Sequence, residues 1–349
     1  MASTTDRRVL LGVSGGVDSC AAALLLRSSG YEPLGVRLIL KEKEDRLDEA
    51  RLKGLDSLGI PVVEVDGRDV FRSSVVEPFL EAYERSTTPN PCVICNERVK
   101  FRLLFEEADR RGIHLVGTGH YAGITPYRDG SAISRAEIGG KDQSYMLYRL
   151  SSEWLGRLIF PLENLSKPEV RDLVFREFDD EELRSGDSQD ICFIPGSLES
   201  FLDGNLREEA GPGPMISLDG DVLGRHRGLC RYTEGQRKGL GLGGGPWFVV
   251  RKDRSENALI LGREADTSVV RIGFSMLKWQ HKVNEGSVYM IQHRYRSAPV
   301  PAVLSRLSQD SAEVLLEKPT RGVAPGQSLV LYDGPCLLGG GVIDRVYSR

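Results

Sequence analysis

Two sets of residues in this chain have types and spacings suited to chemistry. The first is Ser14-Gly15-Gly16-Val17-Asp18-Ser19, preceded by the apolar run Val9 to Val13 and followed by Cys20-Ala21-Ala22-Ala23-Leu24-Leu25-Leu26. That order reads as strand, glycine turn and helix start. Two glycines let the backbone approach an anion closely, and a helix N-terminus aims N–H groups and partial positive charge at it. Asp18 beside a phosphate makes sense if a cation such as Mg²⁺ lies between them. The segment therefore reads as a nucleotide-phosphate loop, against the plainer alternative of a glycine turn that only joins strand to helix. It is not a Walker loop, because no Gly-Lys-Ser/Thr follows.

The second set is thiol chemistry. In Thr88-Pro89-Asn90-Pro91-Cys92-Val93-Ile94-Cys95-Asn96 the prolines hold the backbone extended and keep the cysteines out of the preceding helix. The spacing predicts a helix over 97–111, with Asn96 as its N-cap and Cys95 at its N-terminus, where a thiol tends toward thiolate. Cys192, in Asp187-Ser188-Gln189-Asp190-Ile191-Cys192-Phe193, follows 97 residues after Cys95. Of the other cysteines, Cys20 and Cys336 sit in apolar runs and read as core. Cys230, beside Arg231, is open.

Positive charge gathers in three places: Arg225, Arg227, Arg231, Arg237 and Lys238; His293-Arg294-Tyr295-Arg296; and Arg98, Lys100 and Arg102 beside the first thiols. Basic side chains with an interleaved aromatic can grip phosphates and stack on a base. The plainer alternative for each cluster alone is a solvated surface, but three beside a phosphate loop and paired thiols favour RNA. The run Gly239 to Gly245 opens no helix and lies in no βαβ unit, so it reads as a mobile loop and not as a dinucleotide fingerprint.

These groups need elements to hold them. Strand-like pieces at 9–13, 34–40, 61–65 and 114–118 alternate with helical spacing at 44–59, 70–85 and 97–111, which implies a parallel sheet covered on both faces. Ligands then bind beyond the carboxyl ends of the strands, where the opening loop and Thr118-Gly119-His120-Tyr121 both lie. Residues 122–140 read as a hairpin with Asp129-Gly130 as turn signal. A further helix starts near Pro168 with Ser166 as N-cap, and the run Asp179 to Glu182 reads as solvated surface. Beyond residue 200, short strands at 287–292, 302–307, 312–317, 327–332 and 341–346, with a turn at Ala324-Pro325-Gly326-Gln327, suggest a small closed β-barrel. The 349 residues allow two or three domains, and 40% hydrophobic with 28% charged residues fits an ordinary soluble protein. The longest apolar runs fall short of the ~20 residues a membrane span needs, and the N-terminus has no secretory core. A cytoplasmic location is the expectation, and there six cysteines point to thiol or metal chemistry more than to structural disulfides. The net charge of −4 excludes a globally basic nucleic-acid binder but not a local positive face.

Taken together, the motifs resemble the tRNA-specific 2-thiouridylases called MnmA. The Ser14 to Ser19 motif is shared with a wider group of ATP pyrophosphatases. The narrower match lies in Thr118-Gly119-His120-Tyr121, Lys141-Asp142-Gln143-Ser144-Tyr145, Asp190-Ile191-Cys192-Phe193-Ile194, Gly235-Gln236-Arg237-Lys238-Gly239-Leu240 and Arg294-Tyr295-Arg296. The resemblance spans nearly the whole chain. It implies an α/β, parallel-sheet PP-loop catalytic domain (N-type ATP pyrophosphatase, adenine nucleotide alpha-hydrolase-like) over 1–198, a small central domain over 199–268 and a C-terminal β-barrel over 269–349. It further implies a tRNA-uridine 2-sulfurtransferase. ATP would bind at Gly12, Val13, Ser14, Gly15, Gly16, Val17, Asp18 and Ser19, with Leu38 and Gly119 near the adenosine. The C2 oxygen of a tRNA wobble uridine would be adenylated, with Asp18 and Mg²⁺ stabilising the departing pyrophosphate. Sulfur from a persulfide carrier protein would arrive as a Cys192 persulfide, sulfide itself being the other donor considered. Cys95 would then attack, releasing the sulfur or closing a disulfide with Cys192. Asn90, Pro91 and Cys92 would lie beside the target base, and His120, Lys141, Asp142, Gln143, Arg294, Tyr295 and Gln327 would contact the tRNA.

Two departures from the family pattern stand out. The family has Asn-Pro-Asp where this chain has Asn90-Pro91-Cys92, which creates a Cys-x-x-Cys plus the distant Cys192. Three thiolates can hold three irons of a [4Fe–4S] cluster and leave the fourth to bind hydrosulfide. The persulfide route, a zinc site with His120 as fourth ligand, and a Cys92–Cys95 redox disulfide are the other readings of the same residues. After the second strand the family has a Met-Lys pair and a longer acidic insertion, whereas this chain reads Arg37-Leu38-Ile39-Leu40-Lys41. That puts Leu38 as a nucleotide contact, and the sulfur donor, in question. The competing functions are another adenylating PP-loop sulfurtransferase or ligase, acting on a different RNA position or a small molecule, and an RNA-binding protein with a vestigial loop.

Overall fold

Val9, Leu10 and Leu11 of the first strand are wholly buried, as a strand covered on both faces must be. In the computed structural model, which describes residues 7–42, 46–136, 141–178, 191–206 and 211–348, this strand is β1 (Arg8–Gly12) at the centre of a five-stranded sheet. With β2 (Glu32–Ile39), β3 (Val62–Asp66), β4 (Leu115–Thr118) and the two-residue β7 (Leu158–Ile159), the order is β3-β2-β1-β4-β7, parallel throughout. The chain runs from β1 outward to β2 and β3, then returns to β1's other side as β4. The carboxyl end of β1 is therefore the point where strand order reverses, the usual ligand position in such sheets.

The helix Val17–Ser28 follows the loop and buries Cys20, Ala21, Ala22 and Ala23 completely against the sheet. Cys20 is core, as expected. A second helix, Arg46–Ser57, packs against β3 and the first helix. Between β4 and β7 come the antiparallel hairpin strands β5 (Ala122–Tyr127) and β6 (Gly130–Arg135). Tyr127 pairs with Gly130, so the turn residues are Arg128 and Asp129, and Arg128 takes the left-handed conformation (φ 50°). The turn thus falls one residue earlier than Asp129-Gly130 suggested. The helix Lys167–Phe178 begins where Ser166 was expected to cap it. There the Ser166 N–H and hydroxyl both donate to Glu169 Oε2 (2.8 and 2.6 Å).

These elements form one compact unit, Met1–Val75 with Cys92–Phe193 and Pro335–Leu337. A second unit comprises Val76–Pro91, Ile194–Gly334 and Leu338–Arg349. Its first sheet joins β8 (Gly213–Ser217), β9 (Val222–His226), β10 (Phe248–Asp253) and β11 (Ala258–Gly262) in the order β10-β11-β8-β9. Asp219-Gly220 lies in the turn between β8 and β9, with Gly220 at φ 94°. Its second sheet is a barrel of β12 (Val269–Trp279), β13 (Val288–Gln292), β14 (Val300–Leu307), β15 (Ser311–Thr320), β16 (Ser328–Asp333) and β17 (Cys336–Ser348). The order is β12-β15-β14-β13-β16-β17, and β12 also pairs with β17, which closes the barrel and removes the edges. β12 was not foreseen from the sequence. It carries register shifts against both neighbours and Met276 at φ 52°, and such bulges erase the period-two alternation by which strands are read. Cys336 is buried in β17, and Cys230 is buried as well. The run Gly239 to Gly245 contains no helix or strand. Among the described residues no helix is long and apolar enough to cross a membrane. The run Asp179 to Glu182 and the segment Asp187 to Asp190 lie outside the described residues.

Candidate active site

The phosphate loop is braced by its own serines. Ser19 Oγ donates to Gly16 O (2.9 Å) and accepts from the Ser14 N–H (3.1 Å), while Ser14 Oγ accepts from the Gly16 N–H (3.2 Å). Gly15 sits at φ 83°, where a side chain is strained. Gly16 caps the helix that begins at Val17. Gly119, on the neighbouring strand end, passes so close that a Cβ on it would lie 2.8 Å from the Asp18 carbonyl and 2.9 Å from the Ser19 nitrogen. Only glycine fits there, because backbone faces backbone.

A cavity of about 230 Å³ opens at this junction. Gly12, Val13, Ser14, Asp18 and Ser19 line one side, Leu38 and Gly119 lie with them, and His120 and Gln143 complete it. Apolar Val36, Leu38, Leu40 and Leu104 share the lining with these polar groups, a mixture that a nucleoside phosphate needs. Gly15, Gly16 and Val17 shape the loop without lining the cavity.

Asp18 does not stand alone. Its Oδ1 accepts from the Tyr121 hydroxyl (2.8 Å) and from Lys167 Nζ (2.5 Å), and the Lys167 ammonium lies 5.9 Å from the Tyr121 ring centre. Burial and the Asp18 carboxylate raise the Tyr121 hydroxyl pKa, so it remains a donor. Asp18 is the one carboxylate among the described residues lining the cavity. One carboxylate suits Mg²⁺ that enters with a nucleotide and keeps phosphate and water ligands. Lys167 carried no sequence signal, and Tyr121 carried one only as the end of the Thr118 to Tyr121 segment; each meets Asp18 across more than a hundred residues.

His120 lines the cavity but faces inward. Its Nδ1 lies 2.8 Å from Thr118 Oγ1, its ring sits 5.8 Å from Phe101, and burial, with help from Lys100, lowers its pKa to about 3. It is therefore a neutral imidazole at working pH. Gln143 Oε1 accepts from the Tyr121 N–H (2.9 Å). Asp142 is spent on its own loop, accepting from the Ser144 N–H (3.0 Å) and hydroxyl (3.0 Å) and the Ala136 N–H (3.3 Å). Lys141 is half-buried beside it.

The thiol segment differs from its sequence reading. The helix starts at Pro91, so Cys92 and Cys95 both lie inside it (Pro91–Cys95). It widens into an i→i+5 turn over Asn96–Lys100 and continues as Phe101–Arg111. Wide turns of this kind recur at functional sites. Asn96 is not an N-cap. It is buried, and its Nδ2 donates to Met146 O (3.1 Å). Glu97 is clamped by Arg149 (2.6 Å), and both side chains are largely buried. Proline at the first helical position needs no N–H partner, so Pro91 starts this helix early, while the cysteines stay out of the preceding helix Glu77–Glu84 as expected. Cys95 therefore sits in the second turn, 4% exposed, and burial pushes its thiol up to about 12 although Lys100 pulls the other way. The expected thiolate at a helix N-terminus is corrected: desolvation outweighs the neighbouring positive charge. Cys92 is half-buried and Cys192 exposed, and no two of the six cysteines form a disulfide. The Cys192 carbonyl accepts from Lys41 Nζ (3.1 Å), and Phe193 packs edge-on to Phe71 (5.7 Å).

The thiols do not form a ready metal site. Among the described residues, no group of three or more His, Cys, Asp or Glu side chains is gathered closely enough to hold a metal ion. Among the described residues Cys92, Cys95 and Cys192 thus form no preformed metal-ion site, although the charges of the three thiols act on one another through this region.

Within the second unit, Asn90 and Pro91 end an extended segment that the barrel residues hold. The Thr88 N–H donates to Pro325 O (3.1 Å), and Gln327 Nε2 donates to Thr88 O (2.8 Å) and Pro89 O (3.3 Å). Gln327 thus positions the segment leading to Asn90. Arg294 is exposed and Tyr295 half-buried in the loop after β13, with the Arg296 guanidinium 5.2 Å from the Tyr295 ring centre. The basic stretch near residue 230 is partly structural: Arg231 pairs with Glu199 and Asp203, and Arg227 with Glu199.

Family models match three stretches: a tRNA methyl transferase HUP domain over residues 7–196, a tRNA methyl transferase PRC-barrel domain over 199–263, and an aminomethyltransferase beta-barrel domain over 271–343. The tRNA-specific 2-thiouridylase MnmA of Acidithiobacillus ferrooxidans is 38% identical over 347 residues, covering 97% of this chain and 98% of that protein. The protein of the same name from Chloroflexus aurantiacus is 40% identical over 356 residues, covering 97% and 98%. With similarity of this degree from end to end, and a phosphate loop, a nucleotide-sized cavity and two thiol segments in the matching order, the chain belongs to the tRNA-specific 2-thiouridylase MnmA family.

Proposed function

We propose that this chain is an ATP-dependent tRNA-uridine 2-sulfurtransferase, working in the cytoplasm on the wobble uridine. The observation that carries the reading is the near full-length family membership. The geometry supports it: the helix that begins at Pro91 carries two thiols and also lends Leu104 to the nucleotide cavity. Activation and sulfur delivery then share one scaffold. The three-domain division at 198 and 268 belongs to the same reading.

ATP would lie with its adenosine against Val13, Leu38 and Gly119 and its phosphates on Ser14 to Ser19. Mg²⁺ held by Asp18 would offset the charge of the pyrophosphate. The uridine O2 forms a bond to the α-phosphorus, the bond to the β-phosphate bridge breaks, and pyrophosphate leaves with that electron pair while the N3 proton is lost. The terminal sulfur of a Cys192 persulfide then attacks C2, and the C2–O bond breaks with AMP as leaving group. Cys95 attacks Cys192 Sγ, its proton passing to the departing thiouridine, and a Cys95–Cys192 disulfide remains for an external thiol to reduce. The exposure of Cys192 suits loading by a donor protein, and the burial of Cys95 suits a thiol used only in the last step. On the first unit Cys92, His120, Lys141 and Gln143 would meet the RNA, with Asp142 shaping their loop. On the second unit Asn90, Pro91, Arg294 and Tyr295 would do so, with Gln327 holding Asn90 in place.

The test is pyrophosphate release by the purified protein with unmodified tRNA transcript, followed by nucleoside mass spectrometry after adding a persulfide donor. Release stimulated by tRNA but not by free uridine, with 2-thiouridine formed, is expected. Release with a small molecule and none with tRNA would overturn the reading in favour of a different adenylating ligase.

A further inference from the structure

The cavity contains one charged group that the scheme above does not use. Lys100 closes the wide turn Asn96–Lys100 and lines the cavity together with His120 and Gln143. The sequence had grouped it with Arg98 and Arg102 as an RNA-facing cluster. Arg98 is exposed and Arg102 pairs on the surface with Glu106 (2.8 Å), whereas Lys100 points inward. The wide turn explains the divergence. Where the helix repeats on five residues, Lys100 follows Cys95 along one face, and Arg98 falls on the other.

The other two lysines near this region are committed. Lys167 is bonded to Asp18 and Lys41 to the Cys192 carbonyl. Lys100 makes no hydrogen bond or ion pair with the described residues, and the nearest groups that feel its charge are Cys95, Cys192, Cys92 and the neutral His120. The one carboxylate that lines the cavity, Asp18, is bonded to Lys167, and a cation left there without a partner is costly unless an anion arrives. The arrangement also says which anion. The apolar lining of the cavity suits adenosine, and the serine loop suits the outer phosphates. Lys100 lines the same cavity, and its charge acts on all three thiols. The only phosphate that must face sulfur chemistry is the one joined to the uridine oxygen.

We propose that Lys100 is a catalytic residue that binds the α-phosphoryl group of the nucleotide, on the side where uridine is adenylated and AMP later leaves. This rests on the reading of the cavity as an ATP site. When uridine O2 bonds to the α-phosphorus and the bridge to pyrophosphate breaks, charge accumulates on the non-bridging α-oxygens, and the Lys100 ammonium neutralises it without giving up a proton. Removing one such contact in a water-poor site typically costs ~10²–10³ in rate.

The deciding experiment compares AMP with adenosine by calorimetry in the wild type, Lys100→Met and Lys100→Arg. The two ligands differ only by the α-phosphate. The wild type is expected to prefer AMP by about tenfold or more. Lys100→Met should lose that preference while keeping adenosine affinity, which also reports an intact cavity, and Lys100→Arg should retain it. Single-turnover pyrophosphate release with tRNA should fall roughly a hundredfold in Lys100→Met, with tRNA affinity within about threefold. An unchanged AMP preference in Lys100→Met, or none in the wild type, overturns the proposal. Should Lys100→Met fail to fold, loss of the AMP preference in a folded Lys100→Arg does the same. Wild-type protein that binds AMP through Lys100 yet releases no pyrophosphate with tRNA would sink the tRNA reading and leave this one standing.

Discussion

The phosphate loop and the thiol helix belong to the same unit and serve one reaction, yet they are built on opposite principles. The loop is made by backbone: Gly15 in the left-handed region, Gly119 pressed against Asp18, and two serines bonded to the loop's own amides. Its chemistry is fixed within a few residues of sequence. The thiol helix is made by burial: Asn96 anchored to Met146, Glu97 clamped by Arg149, and Cys95 sealed in the second turn. There the surroundings decide what each side chain can do. A thiol that its local sequence marks as a thiolate is held protonated, because burying charge costs more than a nearby ammonium returns.

The sharpest way to break this contrast is to label the thiols. With the Cys95 thiol pushed up to about 12 from a usual value near 9, its thiolate fraction below pH 9 falls on the order of a thousandfold. Iodoacetamide at pH 8, read by peptide mass spectrometry, should modify exposed Cys192 and leave Cys95 intact. Rapid labelling of Cys95 at that pH would return it to the activated class. The linkage sign is also definite. A folded-state pKa raised above the unfolded one stabilises the fold fully below about pH 9, and that contribution is lost as pH rises toward 12. Urea midpoints of the wild type should therefore fall more steeply above pH 9 than those of Cys95→Ala.

A second test strikes the backbone-built region. Gly119→Ala places a Cβ against the Asp18 carbonyl, which has no room to yield without moving the loop. ATP binding by calorimetry should weaken roughly a hundredfold, with little change in the far-ultraviolet spectrum. An alanine variant that binds ATP normally would mean the loop is not held by backbone contact. The smallest effect belongs to the residue that departs from the family. Since Cys92 joins no metal-holding group among the described residues, Cys92→Ala should keep tRNA thiolation within about threefold, and anaerobically purified protein should contain no stoichiometric iron. Iron and acid-labile sulfide at cluster stoichiometry, lost in Cys92→Ala, would show that the thiols rearrange to hold one.

What could be read ahead of the structure follows the same divide. β1 to β4, the loop after β1 and the barrel strands β13 to β17 announce themselves through apolar runs, glycine turns and alternation. β12 does not, because its bulges break the alternation. The cavity-lining residues at 12–14, 18–19 and 119 were legible because a strand–loop–helix motif and a strand end each have a fixed place in a parallel sheet, whereas Leu38 came from the family resemblance alone. The helix start at Pro91 was not, since proline reads equally as a breaker and as a first helical residue. Nor was the use of Asp142 and Gln327 as local braces, which depends on partners that folding supplies.

By itself the sequence determined the sheet, the phosphate loop, the presence of three thiols at their spacing, and the family to which they belong. All of these rest on local pattern or on end-to-end similarity. Only the tertiary structure decided that Asp18 is held by Lys167 and Tyr121, that Cys95 is buried, and that Lys100 turns into the cavity while Arg98 and Arg102 face outward. The physical reason is common to all three. Charge and protonation are set by burial and by partners far away in sequence, and neither exists until the chain has folded.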